Sequence, residues 1–164
     1  MSRRAGVPLT EAVLLAIWIG AALLFTLVVA PAAFRVLPSR TLAGALVGRV
    51  LPMIFYEGVV IGSVIVLLDL VGRTGAWGRA AAGAVSALAC AIAQLVVGTR
   101  IDRLRSEISV PLDALAADDP RRIAFGKLHA ISVGWLAVAM FAAVVALTLA
   151  VRAIPPRHES LLNQ

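Results

Sequence analysis

Three stretches of the chain, residues 12–34, 80–99 and 128–151, run without a single charged side chain. A helix of about 20 residues crosses the hydrocarbon core of a bilayer. Inside lipid a segment must satisfy its own backbone hydrogen bonds, which makes helix the natural form of each run. A fourth stretch, between Arg49 and Arg73, is apolar apart from Glu57 and Asp69. An odd number of crossings leaves that stretch with no apolar environment, so it is read as a span with one acid near each end. The expectation is an all-α integral membrane four-helix bundle, with spans at about residues 9–30, 53–72, 80–99 and 128–151. A polar connector over 100–122 and a tail over 152–164 complete a single membrane domain spanning 1–164.

Composition agrees. Of the 164 residues 61% are hydrophobic and 15% are charged, whereas a soluble domain needs about 25% charged residues to cover its surface. The net charge of +6 comes mainly from arginines beside the apolar runs. That position suits anchoring to anionic head groups and orienting the helices, so the expected partner is the lipid bilayer, with a second copy or another membrane protein in addition, and not nucleic acid. The expected location is a bacterial inner membrane, crossed several times.

Local signals divide the chain further. Proline disfavours helical geometry in the residue before it, so the first helix is expected from about Pro8 to just before Pro31. Ser39 reads as a helix cap, followed by Leu42, Leu46 and Val50 at spacings of four. This gives either a short interfacial helix before the second span or an extension of that span bent at Pro52. The glycine-rich basic segment 72–79 reads as a tight turn, with Asp69 paired to Arg73 four residues on. Asp119-Pro120 reads as the cap and first residue of the last helix. Small residues allow close helix packing in lipid. Gly44 with Gly48, Gly58 with Gly62, and the series Ala80, Ala84, Ala87 and Ala91 are the expected packing stripes.

Alternating crossings bring the end of the first helix, the start of the second, the end of the third and the start of the fourth to one face. Phe125, Leu128, His129 and Ser132 follow the i, i+3, i+4, i+7 spacing of one helical stripe. An ionisable group facing lipid is costly, which favours that stripe pointing inward. The candidate polar cluster is Tyr56, Glu57, Arg100, His129 and Ser132, serving either as a small polar pocket or as a lock between helices. Glu11, Asp69, Arg73, Trp77 and Arg152 fall at the opposite face. Haem ligation by two histidines does not fit, because His158 lies beyond Arg152 at the other face. No metal-ligand spacing, phosphate loop or nucleophile with a base is visible, so neither a metal nor another cofactor is expected, nor an enzyme.

Four blocks carry a family resemblance: Ala30-Pro31 with Phe34 and Leu37; GRVLPMIFY from Gly48 to Tyr56; Thr99-Arg100; and Phe125 with Leu128-His129 and Ser132. In their order and spacing the chain resembles the transmembrane-protein-205-like family and its bacterial domain-of-unknown-function 4149 members. The resemblance makes Pro31, Phe34, Phe125 and Leu128 motif residues. It implies a four-helix membrane protein with a eukaryotic relative linked to drug tolerance. One departure is Gly134-Trp135, where relatives often carry asparagine. The expected role is a non-catalytic scaffold, accessory subunit or small-molecule tolerance factor. The alternative is an oligomeric small-solute or proton-coupled transporter working through Glu57, Arg100 and His129.

Overall fold

The computed structural model describes residues 3–72 and 75–154, the side chains of residues 3–5 excepted. Four long helices account for nearly all of them. Helix α1 covers residues 3–36: an α-helical Arg3–Leu24, a π-helical Phe25–Val29 and an α-helical Ala30–Val36. Helix α2 is Arg40–Val71. Helix α3 is Trp77–Glu107, in which Ile92–Gly98 is π-helical and Thr99–Glu107 returns to α geometry. Helix α4 is Pro120–Arg152. Each of the four is long and apolar enough to cross a membrane.

The helices pack as a square, α1 against α2, α2 against α3, α3 against α4 and α4 against α1, with the α2–α3 and α3–α4 faces the most extensive. Large apolar side chains point outward all round, among them Leu27 (70% exposed) and Phe141 (73% exposed). Lipid is the solvent that suits such a girdle. The core is built from Leu15, Trp18, Phe25, Ile54, Phe55, Ile65, Cys90 and Leu136, with alanines of α3 and α4 between them.

One sequence expectation on helix boundaries is corrected, and a second, left between two alternatives, is resolved. Pro31 does not end α1. The π segment immediately before it resets the helical register, so Pro31 falls in the first turn of the resumed α helix, where its missing N–H costs little. Thr26 within that π segment donates to Ala22 O at 2.7 Å and Leu23 O at 3.3 Å, satisfying carbonyls that have no water to turn to. Of the two readings of residues 40–52, the extension of the second span holds: they belong to α2, which continues through Pro52. Its cap is Ser39, whose hydroxyl accepts from Leu42 N at 3.2 Å. Asp119 caps α4 by accepting from Arg121 N at 2.8 Å. In the turn between α2 and α3, Gly75 has φ +67°, a left-handed conformation that glycine adopts without strain.

Packing stripes are also partly redrawn. Gly58 and Gly62 do allow close approach: a Cβ on Gly62 would lie 2.6 Å from Gly83 O and 2.9 Å from Ala87 Cβ, so α2 and α3 touch almost backbone to backbone. On α3, however, the buried stripe is Ala80, Gly83, Ser86, Ala89, Cys90, Ala93 and Val97, while Ala84 is exposed. All four alanines lie in the regular α-helical part, Trp77–Ala91, whose buried face is centred on Gly83, Ser86 and Cys90, a face that an alanine count does not locate. Gly44 and Gly48 face no helix backbone; their nearest foreign atoms belong to the Arg105 side chain.

Candidate ligand cavity and the ion-paired end

The ends of α1 and α3 and the starts of α2 and α4 lie at one face of the bundle, called here the connector face. Within it is a cavity of about 170 Å³. Helix α1 contributes Phe34, and α2 contributes Gly44, Val47, Gly48, Leu51, Pro52 and Phe55. Helix α3 contributes Ala93, Gln94, Gly98, Ile101, Asp102 and Arg105, and α4 contributes Phe125, His129 and Ser132. The cavity exists because three of its wall positions are glycine and because the π turn of α3 carries Ala93, Gln94 and Gly98 into the wall. π segments inside helices are frequent at functional sites.

Beside it lies a second chamber of about 460 Å³, formed by the start of α2, the connector residues 108–113 and the start of α4. Phe34, Gly44, Arg105 and Phe125 line both chambers and form the partition between them. The Arg105 guanidinium sits 5.2 Å from the Phe125 ring centroid, a cation–π contact, and its Nη2 donates to Gly44 O at 3.4 Å. Phe125 in turn lies parallel to His129, with ring centroids 6.3 Å apart. Arg105 is in no ion pair among the described residues. Most of its five N–H donors are therefore free for a ligand.

Of the sequence-derived cluster, His129 and Ser132 line the cavity, and so do the motif residues Phe34 and Phe125. Tyr56, Glu57 and Arg100 do not. They are exposed on the outside of α2 and α3, which corrects the expectation of a Glu57–Arg100–His129 grouping. The reason is angular. Parity of crossings fixes the depth of a residue but not the side of the helix it occupies, and Phe55 rather than Tyr56 or Glu57 turns inward. Pro31 and Leu128 are half-buried in the helix walls. The basic group at the cavity is Arg105, one helical turn beyond Arg100. Its signal in the sequence was the stripe Ile101, Leu104 and Ile108, with Arg105 one residue beside it.

At the opposite face the structure joins Glu11 of α1, Asp69 of α2 and Arg79 of α3. Arg79 Nη2 donates to Asp69 Oδ1, and Arg79 Nε lies 2.8 Å from Glu11 Oε2. All three are buried, Glu11 completely. Arg79 thereby spans the diagonal of the square, linking α1 and α3, which otherwise barely touch. Sequence placed Glu11 and Asp69 at this level but read Arg79 only as a turn residue. Its proposed alternative, Arg73, lies outside the described residues. Trp77 and Arg152 are exposed.

Between the two ends the interior is filled. Leu15, Trp18, Phe55 and Ile65 are each at most 2% exposed, and Phe55 is also the floor of the cavity. Trp18 Nε1 donates to Ile54 O at 2.9 Å, pinning α1 to α2 beneath that floor.

This architecture, four apolar helices in an up-and-down square with polar chemistry confined to the two ends, is that of a multi-pass membrane four-helix bundle. More narrowly, the chain belongs to the family described as a domain of unknown function (DUF4149), whose model matches residues 13–109. That match covers α1, α2 and α3 but not the block around Phe125 and His129. No curated protein and no solved structure matches the chain.

Proposed function

We propose that the chain is a non-catalytic membrane protein of a bacterial inner membrane that holds a small amphiphilic molecule in the connector-face cavity, a role in keeping with tolerance of small molecules. One observation carries this reading: all four helices contribute to a single glycine-walled cavity that opens at one face and is floored by Phe55. A solute carrier needs a route to the other face. The packed core and the Glu11–Asp69–Arg79 group weigh against that route, so binding is favoured over transport.

The test is a thermal-shift screen of detergent-solubilised protein against small amphiphiles, repeated on Gly44→Leu. A Cβ at Gly44 meets nothing closer than Arg105 Nη2 at 3.9 Å, so the backbone admits a side chain there, and that of leucine would extend into the space between the chambers. Stabilisation of the wild type that is absent in Gly44→Leu is the expected outcome. No stabilisation across the screen, or shifts unchanged in the variant, would overturn the reading.

A further inference from the structure

The partition between the two chambers has an uneven chemistry. Inward of Arg105 the wall is mainly apolar, with Val47, Leu51, Phe55 and Ala93, and also carries Gln94, Asp102, His129 and Ser132. An apolar cavity of about 150 Å³ accepts a benzene ring, so the inner 170 Å³ has room for a ring or a short alkyl end against its apolar side chains. Outward of Arg105 the chamber is basic. Arg40, Arg105 and Arg122 line it against the single acid Asp113. Asp113 already accepts from Thr41 Oγ1 at 3.4 Å, and Arg122 Nη1 is tied to Leu115 O at 2.9 Å. Arg105 alone lines both chambers as a cation, and its planar fork matches two oxygens of one carboxylate or phosphate. Phe125 beneath the guanidinium holds that plane in place.

Resting on the ligand-cavity reading above, we infer that the ligand is an amphiphile with one compact anionic head group, carboxylate or phosphate, bound by Arg105 in the outer chamber while its apolar end occupies the inner one. Asp102, which also lines the inner chamber, stands with His129 on the cavity side of the partition, where its carboxylate disfavours a second anionic group on the tail. The same chemistry is offered by a bilayer lipid and by a diffusible amphiphilic acid.

The experiment is a calorimetric titration of the full chain in a neutral maltoside detergent with octanoate, octyl phosphate, octanol and octyltrimethylammonium, on wild type, Arg105→Ala, Arg105→Lys and Gly44→Leu. The expected result is saturable binding of both anions at one per chain and weaker binding of octanol. Arg105→Ala should lose about tenfold or more in anion affinity while keeping octanol affinity, the loss carried by a charge-assisted hydrogen bond. Arg105→Lys should fall between, because it keeps the charge without the fork. Equal binding of octanol and octanoate, or anion affinity unchanged in Arg105→Ala, overturns the anion assignment while the cavity reading stands. Binding of every probe unchanged in Gly44→Leu, or no binding of any probe, removes both. Native mass spectrometry of the same samples separates the sources. Phosphatidylglycerol retained in preference to phosphatidylcholine and displaced by octyl phosphate marks a bilayer lipid; octyl phosphate binding with neither lipid retained marks a diffusible acid. Either agrees with the anion chemistry.

Discussion

Gly58 shows how much of this bundle is decided by single atoms. A Cβ there would lie 2.5 Å from Cys90 Sγ and 2.7 Å from Trp18 Cζ2. The missing side chain is the notch that admits the indole, and the indole then reaches the Ile54 carbonyl. Gly58→Ala is therefore expected to lower unfolding free energy by about 1–3 kcal/mol, the usual cost of overpacking, measured by denaturation in mixed micelles. Arg79 makes the converse point about charge. Removing one member of a buried ionic group strands the others, so Arg79→Leu should cost about 3–5 kcal/mol. Replacing Glu11, Asp69 and Arg79 together with leucine should recover most of that loss, since apolar packing often equals a buried ionic group. A triple variant as unstable as the single one would show that the group does more than balance its own charge.

At the scale of the element, the two π segments matter most. Each has a threonine, Thr26 inside the first and Thr99 just after the second, that returns its hydroxyl to the backbone: Thr26 to Ala22 O, and Thr99 to Leu95 O at 2.9 Å and Val96 O at 3.0 Å. Thr26→Val keeps the shape and removes the donor. It should destabilise by about 1 kcal/mol, the net worth of one hydrogen bond, in the same denaturation assay. The start of α4 makes a pH statement. Hydrogen bonds from the Arg121 side chain, and then from its backbone N–H, hold the Asp119 carboxyl at about 2, below its ordinary 3.8. A depressed folded-state value means that this support is present above the ordinary value and is lost only as pH falls through about 2. A titration followed by the Arg121 amide signal should show no transition between about pH 4 and 7. A transition in that window would contradict the cap. Much of this scale was legible in the sequence, because charge-free runs, Ser39, Asp119-Pro120 and Gly75 each act locally. The π segments were not, since a register change leaves hydropathy unaltered. For that reason Pro31 looked like a helix end; Ala84 looked like a packing residue because the alanine count took a neighbouring face of α3 for the buried one.

For the whole molecule, the useful contrast is between its two ends. One is tied across the diagonal by Glu11, Asp69 and Arg79; the other is held open by glycines around a cavity with Arg105 at its mouth. Parity of crossings located both ends from sequence, and it brought His129, Ser132, Phe34 and Phe125 to the correct one. It could not rank side chains at one depth by the direction they face, which is why Tyr56, Glu57 and Arg100 turned outward and Arg105 took the cationic position. Helix rotation is set by the packing of Trp18 into Gly58 and of Gly62 against Gly83, contacts between segments far apart in the chain. The central claim, a cavity reached from one face only, is most directly tested by labelling Gln94→Cys in a Cys90→Ala background with a membrane-impermeant maleimide applied to sealed vesicles of each orientation. Gln94 lines the cavity and is only half-buried, whereas the native Cys90, fully buried, should stay unreactive in the folded wild type. Labelling of the introduced cysteine from the connector face alone is the expected result; labelling from both faces would contradict it.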